Sequence, residues 1–552
     1  MPTIRELLLA RVDDPNPALA FEDEVWTYAE YLEACAARAA FLLANRREGP
    51  FHIGVLLDNV PEYSMWLGAG ALVGATLVGI NPTRRGAELA RDITHTDCQL
   101  IVTDHGYRSM LDELELPIDS DRMIETDSDA WQKEIAGFSG AAIPADADSE
   151  VDEKSTFALI FTSGTSGAPK ACLCSQGRIA TNGSILGQMM ALSEKDVLYC
   201  AMPLFHSNAL VTNWTPALAA GATCVLRRKF SASGFLPDVR RYGVTYFNYV
   251  GKPLAYILQT PELPDDGENT LIRGFGNEGA ERDIERFQKR FKCSVTDAYG
   301  STEGGVNVTR TDDMPAGSLG RGMPGVVILD PETCKPTPDA RFDDRGRLLN
   351  SEEAIGHLAN EAGAKNFEGY WRNDEASAAR VHDGIYWSGD LAYRDENGFI
   401  YFAGRDSEWL RVDGENFAAG PVERILARLP VVTLAVVYCV PDEVVGDQVM
   451  AALQLEPGGE FDAKAFDAFL SEQSDLGSKW TPRYVRISRS LPMTQTNKVL
   501  KRNLRNERWE CADPVWWKSE KGAAYRRLEA ADVEAIRQGF QKRGRESALD
   551  GI

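Results

Sequence analysis

Apolar and polar positions fall into two block lengths over the first hundred residues. Thr27-Tyr28-Ala29-Glu30 fits a capping box, in which Thr27 and Glu30 each satisfy the other's free backbone N–H. The Ala-, Leu- and Phe-rich stretch that follows, to Leu43, predicts a helix, and Gly49-Pro50 ends it. The short apolar run 53–57 predicts a strand. The same order recurs at 61–72 then 76–80, and at 87–94 then 99–103. Helices alternating with short buried strands predict an α/β domain with largely parallel sheets.

Residues 119–154 are acidic and poor in large apolar side chains, so they read as a surface connection. A strand is expected at 156–161, with a Gly/Ser/Thr-rich loop straight after it. Further expected strands end in polar clusters: 197–204 runs into Phe205-His206-Ser207, and 244–250 into Gly251-Lys252. Ligands of open α/β sheets sit beyond the carboxyl ends of strands, which makes these loops candidate site walls. Near Gly404 the texture turns polar and turn-rich as far as Gly414. A helix is then expected at 421–429 and strands at 432–440 and 449–455, a smaller α+β domain.

The bulk properties narrow the function. A chain of 552 residues exceeds one ordinary core. Its net charge of −23 would repel phosphate backbones, so nucleic acid is not an expected partner. Ten cysteines and six histidines are scattered without metal-ligand spacing. Cys172 and Cys174 form C-x-C only, and buried reduced thiols are expected rather than structural zinc. Residues 1–11 lack the apolar core of a secretory signal, and the longest apolar run, 67–80, is too short to span a bilayer. It reads as a buried helix leading into a strand. The expected location is the cytoplasm.

Thr162-Ser163-Gly164-Thr165-Ser166-Gly167-Ala168-Pro169-Lys170 carries the first clear chemistry. Glycines let the backbone approach a polyphosphate, hydroxyls donate to its oxygens, and Lys170 adds a compact positive charge. A Walker A loop needs Gly-Lys followed by Ser or Thr. Here Pro169 precedes Lys170 and Ala171 follows, so the P-loop NTPase reading fails.

The segment resembles the phosphate loop of the adenylate-forming superfamily, which holds acyl-CoA synthetases, peptide-synthetase adenylation domains and luciferases. Further motifs follow in that family's order. Asp297-Ala298-Tyr299-Gly300-Ser301-Thr302-Glu303 resembles its Tyr-Gly-x-Thr-Glu motif. The resemblance implies that Tyr299, beside Gly300, stacks on adenine, that Thr302 bonds the α-phosphate and that Glu303 holds Mg²⁺. Those residue types suit the tasks: an aromatic face for a base, a hydroxyl donor, and a hard carboxylate for a hard cation. Gly276-Asn277-Glu278 occupies the adenine-contacting loop. Ser388-Gly389-Asp390 resembles the Thr-Gly-Asp motif, which implies ribose contacts from Asp390 and from Arg405. Asn497-Lys498 resembles the motif of the catalytic lysine and implies that Lys498 stabilises charge developing on the α-phosphate and carboxylate. His206 matches the gate of the carboxylate site, and Gly414-Glu415 the loop that lines the pantetheine tunnel.

The resemblance thus implies a large multi-sheet N-terminal adenylation domain (1–403), a hinge at 404–408 and a smaller mobile C-terminal domain (409–552). The position that usually carries Asp or Lys in the hinge is Ser407. It also implies ATP, Mg²⁺ and CoA, with an acyl-adenylate formed first and the CoA thioester second. Pro203 to Ser207, Gly221-Ala222-Thr223 and the run from Leu226 to Ser233 resemble the fatty-acid-transport-protein branch of very-long-chain acyl-CoA synthetases. The expected substrate is a long or very long fatty acid or another bulky lipid carboxylate, steroid side-chain acids included. A carrier-protein-loading ligase and a non-catalytic lipid-binding protein are the rival readings. Membrane contact is expected to be peripheral at most, and a homodimer stays open. Trp214, Tyr246, Phe247 and Tyr249 read equally as acyl-pocket walls and as plain core. Arg227-Arg228-Lys229 reads as a solvated run or a phosphate contact.

Overall fold

A computed structural model describes residues 1–144, 151–162, 170–311, 313–315, 317–331, 333–343, 348–405, 409–412, 415–443, 446–473, 476, 479–493, 499–520 and 522–549. Its packing separates into two units. The first joins Met1–Arg310 with Gly363–Asp383; the second holds Thr311–Ala362 and most of the chain from Gly384 onward.

Two sheets build the first unit. One runs Ser294–Asp297, Arg273–Asn277, Tyr246–Val250, Val197–Cys200, Thr223–Leu226, Pro17–Phe21, all parallel, with Glu24–Thr27 antiparallel at the edge. The other runs Met123–Glu125, Leu100–Thr103, His52–Leu56, Thr76–Gly79, Thr156–Thr162 in parallel, closed by antiparallel Lys170–Ser175. The capping box at Thr27 and Glu30 opens the helix Tyr28–Ala44 as expected. The helix Pro61–Val73 has Pro at its first turn and ends on Gly74, whose φ of 72° is left-handed and favours glycine. It is buried on nearly all sides and joins one core with both sheets.

Residues 119–154 are more than a connection. Met123–Glu125 extends the second sheet, and Ser128 caps a helix, Asp129–Ala136. That helix carries one large apolar anchor, Trp131, which packs on Trp66 at 5.5 Å and on Phe41 at 5.1 Å between ring centroids. Ile135, one turn on, and Phe138, just past the helix, pack against the same core, and this short apolar stripe is hidden by the acidic composition around it. The strand expected at 197–204 stops at Cys200. Asn59 then holds the departing backbone, donating to Met202 O at 2.8 Å and accepting from Leu204 N at 2.9 Å.

In the second unit, Val326–Leu329, Gly356–Asn360, Ile385–Arg394, Phe399–Arg405 and Gly320–Gly322 form an antiparallel array. A further sheet centres on Gly446–Leu455, flanked by Val432–Asp442, Trp409–Val412 and Tyr484–Ser488. Its alternating residues feed two cores. Val437 and Leu453 face Val422, Phe466 and Leu470; Tyr438 and Met450 face Leu504 and Phe540. The turn-rich stretch ending at Gly414 contributes the strand Trp409–Val412, and the strand Glu415–Ala418 follows it. Lys501 pairs with Glu423 at 2.9 Å. All ten cysteines are unpaired, and six are buried. Among the described residues, no helix is long and apolar enough to cross a membrane.

Candidate active site

The polar clusters expected at strand ends do gather at the carboxyl edge of the first sheet. Gly276 and Asn277 close the strand Arg273–Asn277, and Asp297 closes its neighbour. A Cβ on Gly276 would lie 2.3 Å from the Tyr249 ring, so only glycine fits there. Glu278 follows at φ 63°, in the left-handed region. The turn is pinned by Asp297, which accepts from Gly279 N at 2.8 Å and from the Tyr249 hydroxyl at 2.7 Å. Burial pushes the Asp297 carboxyl up to about 6, opposed by those two hydrogen bonds. Tyr299 and Gly300 come next, paired antiparallel with Asn307–Thr309. Tyr299 is half-buried and Gly300 exposed.

Thr162 and Lys170 face each other in register across the closing strand pair. Ser163, Gly164, Thr165, Ser166 and Gly167 lie outside the described residues. The Lys170 ammonium sits 6.0 Å from the centre of the Tyr370 ring. Burial, then repulsion from Arg380, holds its pKa below the ordinary lysine value, with Glu303 opposing. Glu303 is buried, and its Oε1 accepts from the Tyr370 hydroxyl at 2.8 Å. Arg380 Nε donates in turn to the Tyr370 oxygen at 3.3 Å. Beside it, the Thr302 hydroxyl lies 2.8 Å from Ser207 Oγ, one residue after His206. His206 is half-buried and its ring packs at 4.5 Å from that of Phe205. One neighbourhood therefore brings together Lys170, Thr302 and Glu303.

Several residues here escaped the sequence reading. Tyr370 and Arg380 are two of them, and they complete the polar contacts just described. Arg178 donates to the carbonyls of both Thr302 and Glu303. A head-to-tail row of amides also runs through the interior. Asn213 donates to Asn248 at 2.8 Å, Asn248 to Asn208 at 2.7 Å, Asn208 to Asn277 at 3.2 Å, and Asn277 to Ala298 O at 2.5 Å. Asn208 precedes, and Asn213 lies within, a π-helical turn, Leu210–Trp214, a local irregularity common at functional sites. The one available signal was the density of Asn beside His206.

The aromatic candidates for the acyl pocket are core residues. Trp214 donates to Ser64, and the Tyr246 hydroxyl to Thr212 O. Phe247 packs on Phe235 and Phe287. The basic run is spent locally: Arg227 pairs with Asp238, Lys229 with Asp58, and Arg228 lies over the Phe21 ring. In the second unit, Asp390 and Arg405 are Cα partners on adjacent strands, and Asp390 N donates to Ser388 Oγ at 3.1 Å. Glu415 begins the strand Glu415–Ala418. Gly414 and Lys498 lie outside the described residues, as does the hinge position Ser407.

Comparison with solved structures defines the fold class. ATP-bound MatB from Rhodopseudomonas palustris superposes with a TM-score of 0.77 at 23% identity, covering 90% of this chain and 98% of that one. Sequence profiles then match residues 10–371 as "AMP-binding enzyme" and 421–498 as "AMP-binding enzyme C-terminal domain". The steroid-22-oyl-CoA synthetase of Rhodococcus jostii is 48% identical over 549 residues, 99% of each chain. The medium/long-chain-fatty-acid–CoA ligase FadD17 of Mycobacterium tuberculosis is 50% identical over 521 residues, 93% of this chain and 98% of that one. Human long-chain fatty acid transport protein 5 is 30% identical, over 87% of this chain and 73% of that protein. The chain belongs to the AMP-binding enzyme family and, within it, to the acyl-CoA synthetases.

Proposed function

We propose that this enzyme couples a bulky lipid carboxylate to CoA through an acyl-adenylate, with the phosphate chemistry centred on Lys170, Thr302 and Glu303. The observation that carries the reading is the convergence of a buried carboxylate, a cation and a hydroxyl beyond the strand ends. In the first step the substrate carboxylate oxygen attacks the α-phosphorus of ATP. A new P–O bond forms, the bond to the β-phosphate oxygen breaks, and pyrophosphate leaves. Lys170 and Thr302 hold phosphate oxygens, Tyr299 stacks on adenine, Asp390 and Arg405 hold the ribose, and Lys498 stabilises the developing charge. In the second step the CoA thiolate attacks the acyl carbon, a C–S bond forms, and AMP departs. Splitting one hard displacement into two easier ones is the reason for the mixed anhydride.

Among the described residues, no cluster of three or more potential ligands could cage a metal. A single buried carboxylate does fit Mg²⁺, which keeps waters and substrate phosphates as its other ligands. Glu303 would hold it, and the ion would supply neutralisation of phosphate charge.

The domain assignment 1–403, 404–408 and 409–552 belongs to the same reading, with rotation about the hinge exchanging Lys498 for Gly414 and Glu415 between steps. His206 gates the carboxylate. The relatives favour two acid classes at nearly equal identity, steroid side-chain acids and medium- to long-chain fatty acids. A panel of both, with AMP and acyl-CoA quantified by mass spectrometry, decides between them. Acyl-CoA from one class names the substrate; AMP or acyl-AMP without acyl-CoA replaces this reading with the carrier-protein ligase.

A further inference from the structure

We propose that Arg178 is a positioning residue that sets the Thr302–Glu303 segment for nucleotide binding. Arg178 stands in the first turn of the helix Gln176–Met189, with its side chain only 10% exposed. A guanidinium has five N–H donors in a fixed fork. Here six acceptors surround it, the most distant being Cys172 Sγ at 4.0 Å from Nη2. Nη1 donates to Thr302 O at 2.9 Å and Glu303 O at 3.1 Å. Nη2 donates to Leu173 O and to Cys174 Sγ, the latter at 3.1 Å. Nε donates to Glu368 Oε2 at 3.0 Å, an oxygen that also accepts from Ser175 N at 2.8 Å. One side chain thereby fastens three stretches of chain: the strand that begins with Lys170, the segment before Tyr370, and the Thr302–Glu303 pair.

Burying a cation is costly, and an apolar side chain of similar length would fill the space. The charge is used where two consecutive carbonyls must turn to the same side. With both carbonyls committed to Arg178, the Thr302 hydroxyl meets Ser207 and the Glu303 carboxylate meets Tyr370. Gly304 belongs to the device. Its φ of 73° is left-handed, and a Cβ there would come 3.0 Å from Arg178 Nη1. Lysine cannot substitute, because its three donors radiate from one point and cannot span the three segments.

The inference rests on reading Thr302 and Glu303 as nucleotide-site residues, and the test separates the two. ATP binding to the full-length enzyme is measured by calorimetry with and without Mg²⁺, beside pyrophosphate exchange and thermal unfolding, for Arg178→Lys, Arg178→Met, Glu368→Gln and Glu303→Gln. Arg178→Lys should fold, lose about tenfold or more of the Mg²⁺-dependent gain in ATP affinity, and slow exchange by about 10- to 100-fold. Glu368→Gln keeps an acceptor for Nε and both carbonyl bonds. It should lower the unfolding temperature while leaving the Mg²⁺-dependent gain at the wild-type value. A folded Arg178→Lys or Arg178→Met with the wild-type gain, or with a loss matched by Glu368→Gln, overturns the proposal. If Glu303→Gln also keeps the wild-type gain, the underlying reading of Glu303 falls with it; if Glu303→Gln loses the gain, only the role of Arg178 fails.

Discussion

The two ends of the first unit's site are held in different ways. Around Thr302 and Glu303 the partners are charged or charge-assisted: Arg178, Tyr370 against a carboxylate, and Arg380 behind it. Around Gly276–Gly279 they are mainly the neutral amides of Asn277, Asn208, Asn248 and Asn213, with Asp297 pinning the turn and Glu278 a second carboxylate within it. On the proposed reading, charge suits the end where phosphate charge must be balanced, since fixed dipoles and ions act strongly in a site that excludes water. On the same reading, neutral amides suit the end proposed to recognise an uncharged base. They orient a loop without adding a field that would oppose the phosphates.

If that contrast is right, substitutions at the two ends fail in different assays. The largest effect is expected for Glu303→Gln, with pyrophosphate exchange falling by about a hundred- to a thousandfold and little change in unfolding temperature. At the base end, Asn248→Ala removes the donor to Asn208 Oδ1 and leaves Asn213 Nδ2 with Tyr199 O as its acceptor. Denaturant titration should show a loss of about 2–4 kcal/mol, with exchange near wild type in the protein that stays folded. Equal loss of activity in both variants would erase the distinction.

Asp297→Asn sharpens the picture through pH. An acid whose pKa is raised in the folded state costs stability as pH climbs from its unfolded value to its folded one, here from about 4 to about 6. Over that window the Asn variant should gain stability relative to wild type, by about 1–3 kcal/mol, and hold the difference above it. Urea midpoints across the range check this, and a constant difference would show that the carboxyl is not perturbed. The smallest change is expected for Tyr370→Phe. It removes one donor to Glu303, and exchange should fall about tenfold, or about 1.4 kcal/mol of barrier.

How much of this could be read from the chain depended on distance. Local rules worked: the capping box at Thr27, the helix expected from residue 61, and the strand expected from residue 156 that leads into the phosphate loop. The helix around Trp131 was hidden because two apolar positions, Trp131 and Ile135, make too short a period to stand out in an acidic stretch. Tyr370 and Arg178 were missed for another reason. Their partners lie 67 and 124 residues away, and nothing in a short window marks a side chain whose use is so remote. Trp214 and Tyr249 looked the same in sequence whether as pocket walls or as core, and only their hydrogen bonds to Ser64 and Asp297 separate the two.

The central claim is that the substrate carboxylate itself attacks the α-phosphorus. A carboxylic acid carrying heavy oxygen in both carboxyl positions, turned over with ATP and CoA, tests it directly by mass spectrometry of the products. The account predicts one heavy oxygen in each AMP released, one retained in the acyl-CoA, and none in pyrophosphate. Label appearing in pyrophosphate or inorganic phosphate, or thioester formed with unlabelled AMP, would contradict it.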